Sequence, residues 1–218
     1  MTGKKYLASG IEAQHEPGSR GRVLRNLLGI RRVRDMEQAE SEALLLAQRT
    51  AVEQTSHDQR FTADDVRTLH RVWLGPVYAW AGEYRTVNIG KGGFQFAHAP
   101  LIPGLMAEFE RGALARFTPC RPAVPAAVAR ALAEVHAELV LIHPFREGNG
   151  RVARMLSLLM AFQAGLPPLV FSPLDGRSKT RYIAAIHSAL GRDYEPLAVL
   201  FERIIERTSR RFGASSDR

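Results

Sequence analysis

A mostly helical chain carrying one small β-hairpin is the fold class predicted by three observations. Apolar residues recur with helical spacing along most of the sequence. The one convincing alternating pattern is confined to residues 85–97, around Lys91-Gly92-Gly93. Clusters such as Thr118-Pro119-Cys120-Arg121-Pro122 and Gly165-Leu166-Pro167-Pro168 punctuate the periodic stretches where helices must stop. A length of 218 residues with a 45% apolar share supports one ordinary core and excludes a disordered polyelectrolyte.

The elements follow in order. Residues 1–22 are polar, contain Pro17-Gly18-Ser19, and read as an extended arm. Leu24, Leu27 and Leu28 open an apolar anchor that Gly29 ends. Residues 35–54 place Ala39, Ala43, Leu46 and Ala47 on one helical face. Thr62 before Ala63-Asp64-Asp65 caps a helix over 63–74, with Val66, Leu69, Val72 and Trp73 as its buried stripe. Tyr78, Trp80 and Tyr84 surround Gly82 and read as core packing rather than a ligand cage. The hairpin is expected from a strand over 85–89, a turn at Lys91-Gly92-Gly93 and a strand over 94–97. Residues 100–117 predict a helix burying Leu101, Leu105, Phe109 and Leu114. Residues 124–142 predict one burying Val128, Leu132, Val135, Leu139 and Ile142. Residues 151–164 continue the core through Met155, Leu156, Leu158, Leu159 and Phe162, and two more helices are expected near 178–190 and 194–209 before a frayed tail.

Composition narrows the function classes. No run approaches the roughly 18 apolar residues of a membrane span, and Met1-Thr2-Gly3-Lys4-Lys5-Tyr6 lacks a signal peptide's apolar core, so a cytoplasmic protein is expected, with no membrane partner. Cys120 is the only cysteine, so neither an internal disulfide nor a thiolate zinc site can be built. The net charge of +8 is spread among interleaved acids, which points to a solvated surface and not to direct nucleic-acid binding.

Between the helices at 124–142 and 151–164 lies His143-Pro144-Phe145-Arg146-Glu147-Gly148-Asn149-Gly150-Arg151-Val152-Ala153-Arg154. Gly148, Asn149 and Gly150 let backbone N–H groups converge on an anion at a helix start. Arg151 and Arg154, three apart, share a helical face and offer forked bonds to phosphate. Glu147 supplies a hard oxygen for Mg²⁺, and His143 can accept a proton near neutral pH. Each residue alone has a plainer reading: a core histidine, an i,i+4 surface pair of Glu147 with Arg151, a helix-breaking glycine. Their coincidence favours a phosphate site. Pro144 and Phe145 read as structural, one ending a helix and the other plugging the loop into the core.

The stretch 143–154 resembles the signature of Fic-domain proteins without a departure: a histidine, a phenylalanine two later, an acid, Gly-Asn-Gly-Arg, and an arginine three further on. The segment 77–85 and the hairpin ending Phe96-Ala97-His98 are similar to the family's region around its flap. The resemblance covers about residues 23–205 as a Fic-type helical bundle with a flap over about 85–98, leaving the arm at 1–22 and a helix end and tail at 206–218. It implies a protein adenylyltransferase, which moves AMP from ATP to a Ser, Thr or Tyr hydroxyl of a target protein and releases pyrophosphate. In that scheme His143 is the base and Glu147 holds Mg²⁺. Gly148, Asn149 and Gly150 form the anion hole, while Arg151 and Arg154 bind the ATP phosphates. Gly90, Lys91, Gly92, Gly93, Phe94, Gln95 and Phe96 form the flap that pairs with the target's backbone. Tyr182 resembles a position beside the nucleoside, although a tyrosine on an amphipathic helix is also an ordinary half-buried residue.

Two details refine the resemblance. A kinase branch has lysine at the second glycine, whereas Gly150 keeps the hole open, which favours nucleotidyl transfer. Many relatives carry an inhibitory Ser or Thr with Glu four residues on; no such pair occurs in this sequence. Control by a separate antitoxin-like protein reaching Arg154 is therefore expected, with a degenerate element using Glu12 or Glu16 as the alternative. Transfer of another nucleotide, a phosphate or a phosphocholine moiety, and a catalytically silent toxin-like binding module, are the competing readings. Among the other histidines, His136 could share a face with His143 but lacks the ligands for a metal pair. His70 and His187 read as structural, and His98 as a tie at the hairpin's base.

Overall fold

Helical periodicity becomes helix over most of the chain in the computed structural model, which describes residues 11–122, 124–172 and 179–213. The first ten residues of the expected arm and the tail beyond residue 213 lie outside these. The chain divides into two compact units. One holds Met1–Gln54, Ala63–Ala107 and Ile142–Val152; the other holds Thr55–Thr62, Glu108–Leu141 and Ala153–Arg218.

In the first unit, α1 (Val33–Gln54) buries Met36, Glu40, Ala47 and Ala51, a stripe at helical spacing that contains a carboxylate. Leu46, expected on this face, is exposed, because the buried stripe runs along the adjacent side of the helix. α2 (Ala63–Leu74) has Asp64 and Asp65 in its first turn and Arg71 in its last, as the helix dipole favours. It buries Val66, Leu69, His70, Trp73 and Leu74, while Val72 falls on the opposite flank and is exposed. Before α1, Ile11–Ala13 forms a short 3-10 turn, and His15 bridges Leu24. The apolar anchor here is Val23 rather than Leu27 and Leu28. The Asn26 side-chain oxygen accepts the N–H groups of Leu28 and Ile30, and the resulting turn throws both leucines into solvent.

The hairpin is shorter than expected. β1 (Gly90–Lys91) pairs antiparallel with β2 (Phe94–Gln95) in the register Gly90↔Gln95 and Lys91↔Phe94. Gly92 and Gly93 both take positive φ, 59° and 84°, as a tight primed turn requires. Residues 85–89 form no strand. Arg85, Val87 and Ile89 alternate into the interior, as the sequence suggested, but without a regular ladder: Arg85 Nη1 donates to the Val87 carbonyl, Glu12 accepts the Thr86 N–H, and the Phe96 N–H donates to the Ile89 carbonyl. Ala99–Leu101 is a 3-10 turn leading into α3 (Ile102–Phe109), whose buried residues are Ile102, Met106 and Phe109, while Leu101 is exposed and Leu105 is only half-buried.

The second unit begins its long run with a π-turn, Glu110–Leu114, continued by α4 (Ala115–Phe117), so the helix expected over 100–117 is interrupted rather than uniform. α5 (Pro125–Ile142) is buried along much of its surface, including Ala129, Leu132, Val135, His136 and Leu139. α6 (Asn149–Gln163), α7 (Lys179–Ser188) and α8 (Glu195–Gly213) complete the bundle. The Gln163 amide ties the connections down: its oxygen accepts the Cys120 N–H and its nitrogen donates to the Gln59 carbonyl. Cys120 is buried, and that burial pushes its thiol up to about 11. Among the described residues, no helix is long and apolar enough to cross a membrane.

Candidate active site

The polar loop 143–148 leads into α6, and its shape is set by residues of the first unit. His143 has φ 53°, a conformation unusual for a side chain other than glycine. Arg85 holds it there: Arg85 Nε donates to the His143 carbonyl at 2.7 Å, and the Arg85 N–H donates to the Pro144 carbonyl at 2.8 Å. The same guanidinium donates to the carbonyls of Val87 and Ala97, the two legs of the hairpin. Arg85 is almost wholly buried, which lowers it to about 10, while the Glu12 carboxylate nearby favours its charged form. Glu12 also accepts the Thr86 N–H and hydroxyl, and Glu16 accepts the Asn26 N–H.

The His143 ring stacks on Phe96 of the hairpin, centroids 3.6 Å apart. Phe96 contacts Phe94 edge-on, so two of the expected flap residues form an aromatic pair beside the expected base. Lys91, Gly92 and Gly93 are exposed at the tip. His98 contributes through its carbonyl, which accepts the Leu101 N–H; the Asn88 side chain, accepting the Ala99 N–H, ties the base of the hairpin.

Phe145 is fully buried and stacks on His70 at 4.0 Å. The Gly82 N–H donates to His70 Nδ1 at 2.7 Å, which leaves the ring proton on Nε2 to donate to the Glu147 carbonyl at 3.1 Å. Burial pushes His70 down to about 4, so it stays neutral in that tautomer. The Asn149 amide closes the loop, accepting from Phe145 N–H and donating to Phe145 carbonyl, each at 2.8 Å. Gly148, at φ 82°, packs against Trp73: a Cβ there would approach the indole to 2.6 Å. A Cβ on Gly150 would meet nothing within 4 Å. α6 begins at Asn149, so its positive dipole end lies at this turn, where the Gly148 N–H donates to Glu147 Oε1 at 3.1 Å and the Gly148 carbonyl accepts the Arg151 and Val152 N–H groups.

The two arginines differ in surroundings. Arg151 Nη1 lies 2.8 Å from Glu40 Oε2, its other nitrogen is 3.6 Å from Glu147, and its guanidinium covers the Trp73 ring at 4.5 Å. Arg154, in the second unit, is half-buried with its guanidinium 5.9 Å from the Phe171 ring. There the Tyr182 hydroxyl is within 2.9 Å of His136 Nε2, and Ser157 lies on the other ring nitrogen. His136 is fully enclosed; burial, with the Arg154 charge adding, pushes it down to about 3.

Among the described residues, no group of three or more His, Cys, Asp or Glu could hold a metal by itself. The sequence reading missed Glu40 and Arg85 as shapers of the loop, whereas His70, read as structural, is buried against it. A polar residue on an otherwise apolar stripe was the available signal for Glu40 and His70; Arg85 had none beyond its place in an alternating segment.

The arrangement is a braced polar loop at a helix start, flanked by a hairpin. The Fic/DOC family pattern matches residues 60–161. Over 144 residues the chain is 35% identical to "Probable protein adenylyltransferase y4lH" of Sinorhizobium fredii, an alignment covering 64% of this chain and 70% of that protein. Protein adenylyltransferase VbhT of Bartonella schoenbuchensis is 34% identical over 143 residues, 66% of this chain but only 30% of the relative's length. Among solved structures, the N-terminal Fic domain of a VirB-translocated effector from Bartonella quintana with bound ADP superposes with a TM-score of 0.68 at 25% identity, covering 83% of this chain and 89% of that one. The chain belongs to the Fic/DOC family.

Proposed function

We propose that this chain is a protein adenylyltransferase, moving AMP from ATP to a Ser, Thr or Tyr hydroxyl of another protein. The observation that carries the reading is the loop itself: His143 stands at one end and, at the other, Gly150 leaves open space at the positive end of α6. His143 would take the acceptor hydroxyl's proton as its oxygen bonds to the α-phosphorus. The bond from that phosphorus to the bridging oxygen breaks, and pyrophosphate leaves. N–H groups of Gly148, Asn149 and Gly150 would receive the charge developing on phosphate oxygens. Arg154, three residues beyond Arg151 on α6, would bind the terminal phosphate. Gly90, Lys91, Gly92, Gly93, Phe94, Gln95 and Phe96 would present a strand edge to the target, and Tyr182 would lie toward the nucleoside. Names of relatives as adenylyltransferases support this assignment.

Glu147 would hold Mg²⁺. A lone half-buried carboxylate fits an ion that arrives largely coordinated by nucleotide phosphates, which needs only one or two protein oxygens. When bound, the ion neutralises phosphate charge. The working compartment is proposed to be the cytoplasm. Control is proposed to come from a separate antitoxin-like chain whose carboxylate reaches Arg154.

Intact mass measurement after incubation with ATP, Mg²⁺ and cell extract tests the reading. A target gaining one AMP is the expected result, and His143→Ala should reduce the rate by at least about 10²-fold. A phosphate, phosphocholine or other nucleotide adduct, or no adduct, overturns it.

A further inference from the structure

Glu40 ties together three other parts of the first unit. Its Oε1 accepts the Tyr78 hydroxyl at 2.7 Å, its Oε2 pairs with Arg151 at 2.8 Å, and its carbonyl accepts the Trp73 indole N–H at 2.9 Å. The residue is only 5% exposed. Arg151 is therefore held on three sides, by this carboxylate, by the face of Trp73 and by Glu147. Swinging its guanidinium out to a phosphate would strand a buried carboxylate with only a phenol for company, a costly state in a desolvated setting. Trp73 is also the surface on which Gly148 seats, so the pair braces the turn where α6 begins.

We propose that Glu40 is a positioning residue: through its pair with Arg151 it holds the first turn of α6 and the Glu147 carboxylate in place, and Arg151 serves the loop's shape rather than gripping phosphate. The consequence for catalysis rests on the adenylyltransferase reading above. It departs from the expectation that both arginines bind the nucleotide, and leaves Arg154 as the phosphate-binding cation of the two. The Tyr78 phenol, raised by burial and then by the Glu40 charge, stays protonated and keeps donating to the carboxylate.

A double-mutant cycle of Glu40→Gln and Arg151→Gln tests this, read in ATP affinity by calorimetry, in transfer kinetics and in thermal midpoint. Each single variant should lower kcat about tenfold, with ATP KM and affinity within about threefold of the parent, and the double variant should be no worse than the poorer single. Half-saturating Mg²⁺ should rise in both singles, and Arg151→Lys, which restores the charge, should recover part of the rate. The proposal is overturned if Arg151→Gln weakens ATP about tenfold or more while Glu40→Gln does not, if the losses multiply, or if Glu40→Gln leaves kcat unchanged. Tyr78→Phe removes one bond to Glu40 and keeps the ion pair, so it covers the case in which Glu40→Gln does not fold. It should lower kcat without moving KM, and an effect on KM alone counts against the proposal. If the parent protein transfers nothing, the functional reading fails by itself. The pair is then judged on thermal midpoints, where additive losses overturn the coupling and non-additive losses support it.

Discussion

Gly148 carries the sharpest steric demand in the loop. Its φ of 82° disfavours any L side chain, and a Cβ would enter the Trp73 ring, itself fully buried and unable to retreat. Gly148→Ala should destabilise the protein by about 2 to 4 kcal/mol in denaturant unfolding. A loss under about 0.5 kcal/mol would mean that the loop has room the geometry denies. The glycines were legible as loop formers from sequence, but their different reasons were not. Gly148 is a packing requirement, whereas Gly150 faces open space, and only the position of Trp73 separates them. Glu40 was illegible for a related reason. A carboxylate on a helix with several other charged residues reads as solvated, although its place four residues after Met36 and seven before Ala47 puts it on the buried stripe.

A hairpin with two residues in each strand cannot hold itself together in water, so its anchors decide its behaviour. Arg85 is the main one, since a single guanidinium reaches both legs and the His143 carbonyl. Arg85→Lys keeps the charge but replaces a planar fork by a point donor. Amide hydrogens of residues 88–97 should then exchange faster by about tenfold or more, with transfer falling more than ATP affinity. Unchanged exchange would locate the anchor elsewhere, with Asn88 and the Phe96 stack on His143 as the remaining contacts. The presence and turn of this element were legible from Lys91-Gly92-Gly93. The strand expected over 85–89 was not borne out: alternation reports which side chains go inward, and a segment can bury them while its backbone finds scattered partners, the Val87 carbonyl an arginine and the Thr86 N–H a carboxylate, instead of a regular ladder. Helix cores were legible by the same token, but the exposed positions of Leu46, Val72 and Leu101 show that choosing between adjacent helical faces needs the packing partners.

Each of the two units encloses one neutral histidine, His70 in the first and His136 in the second. Both sit below the ordinary 6.5, at about 4 and about 3, because burial disfavours the cation. The unfolded chain binds the proton first as pH falls. Their contribution is therefore complete above pH 6.5 and is lost progressively below it, through about 4 for His70 and about 3 for His136. For His70 alone the difference is on the order of 3 kcal/mol. The thermal midpoint should be level near pH 7 to 8 and decline on acidification below 6.5, with a shallower decline in His70→Gln; identical slopes would exclude His70 as a source. The sole cysteine gives the whole molecule another property. With its thiol raised to about 11 and almost no exposure, Cys120 presents roughly one thiolate per ten thousand molecules at neutral pH, and that one is shielded. The chain is thus a ready-made blank for maleimide chemistry: a Lys91→Cys substitution at the exposed hairpin tip would carry a single fluorophore, so that contact of the hairpin with an added protein, as proposed above, would be read as an optical signal.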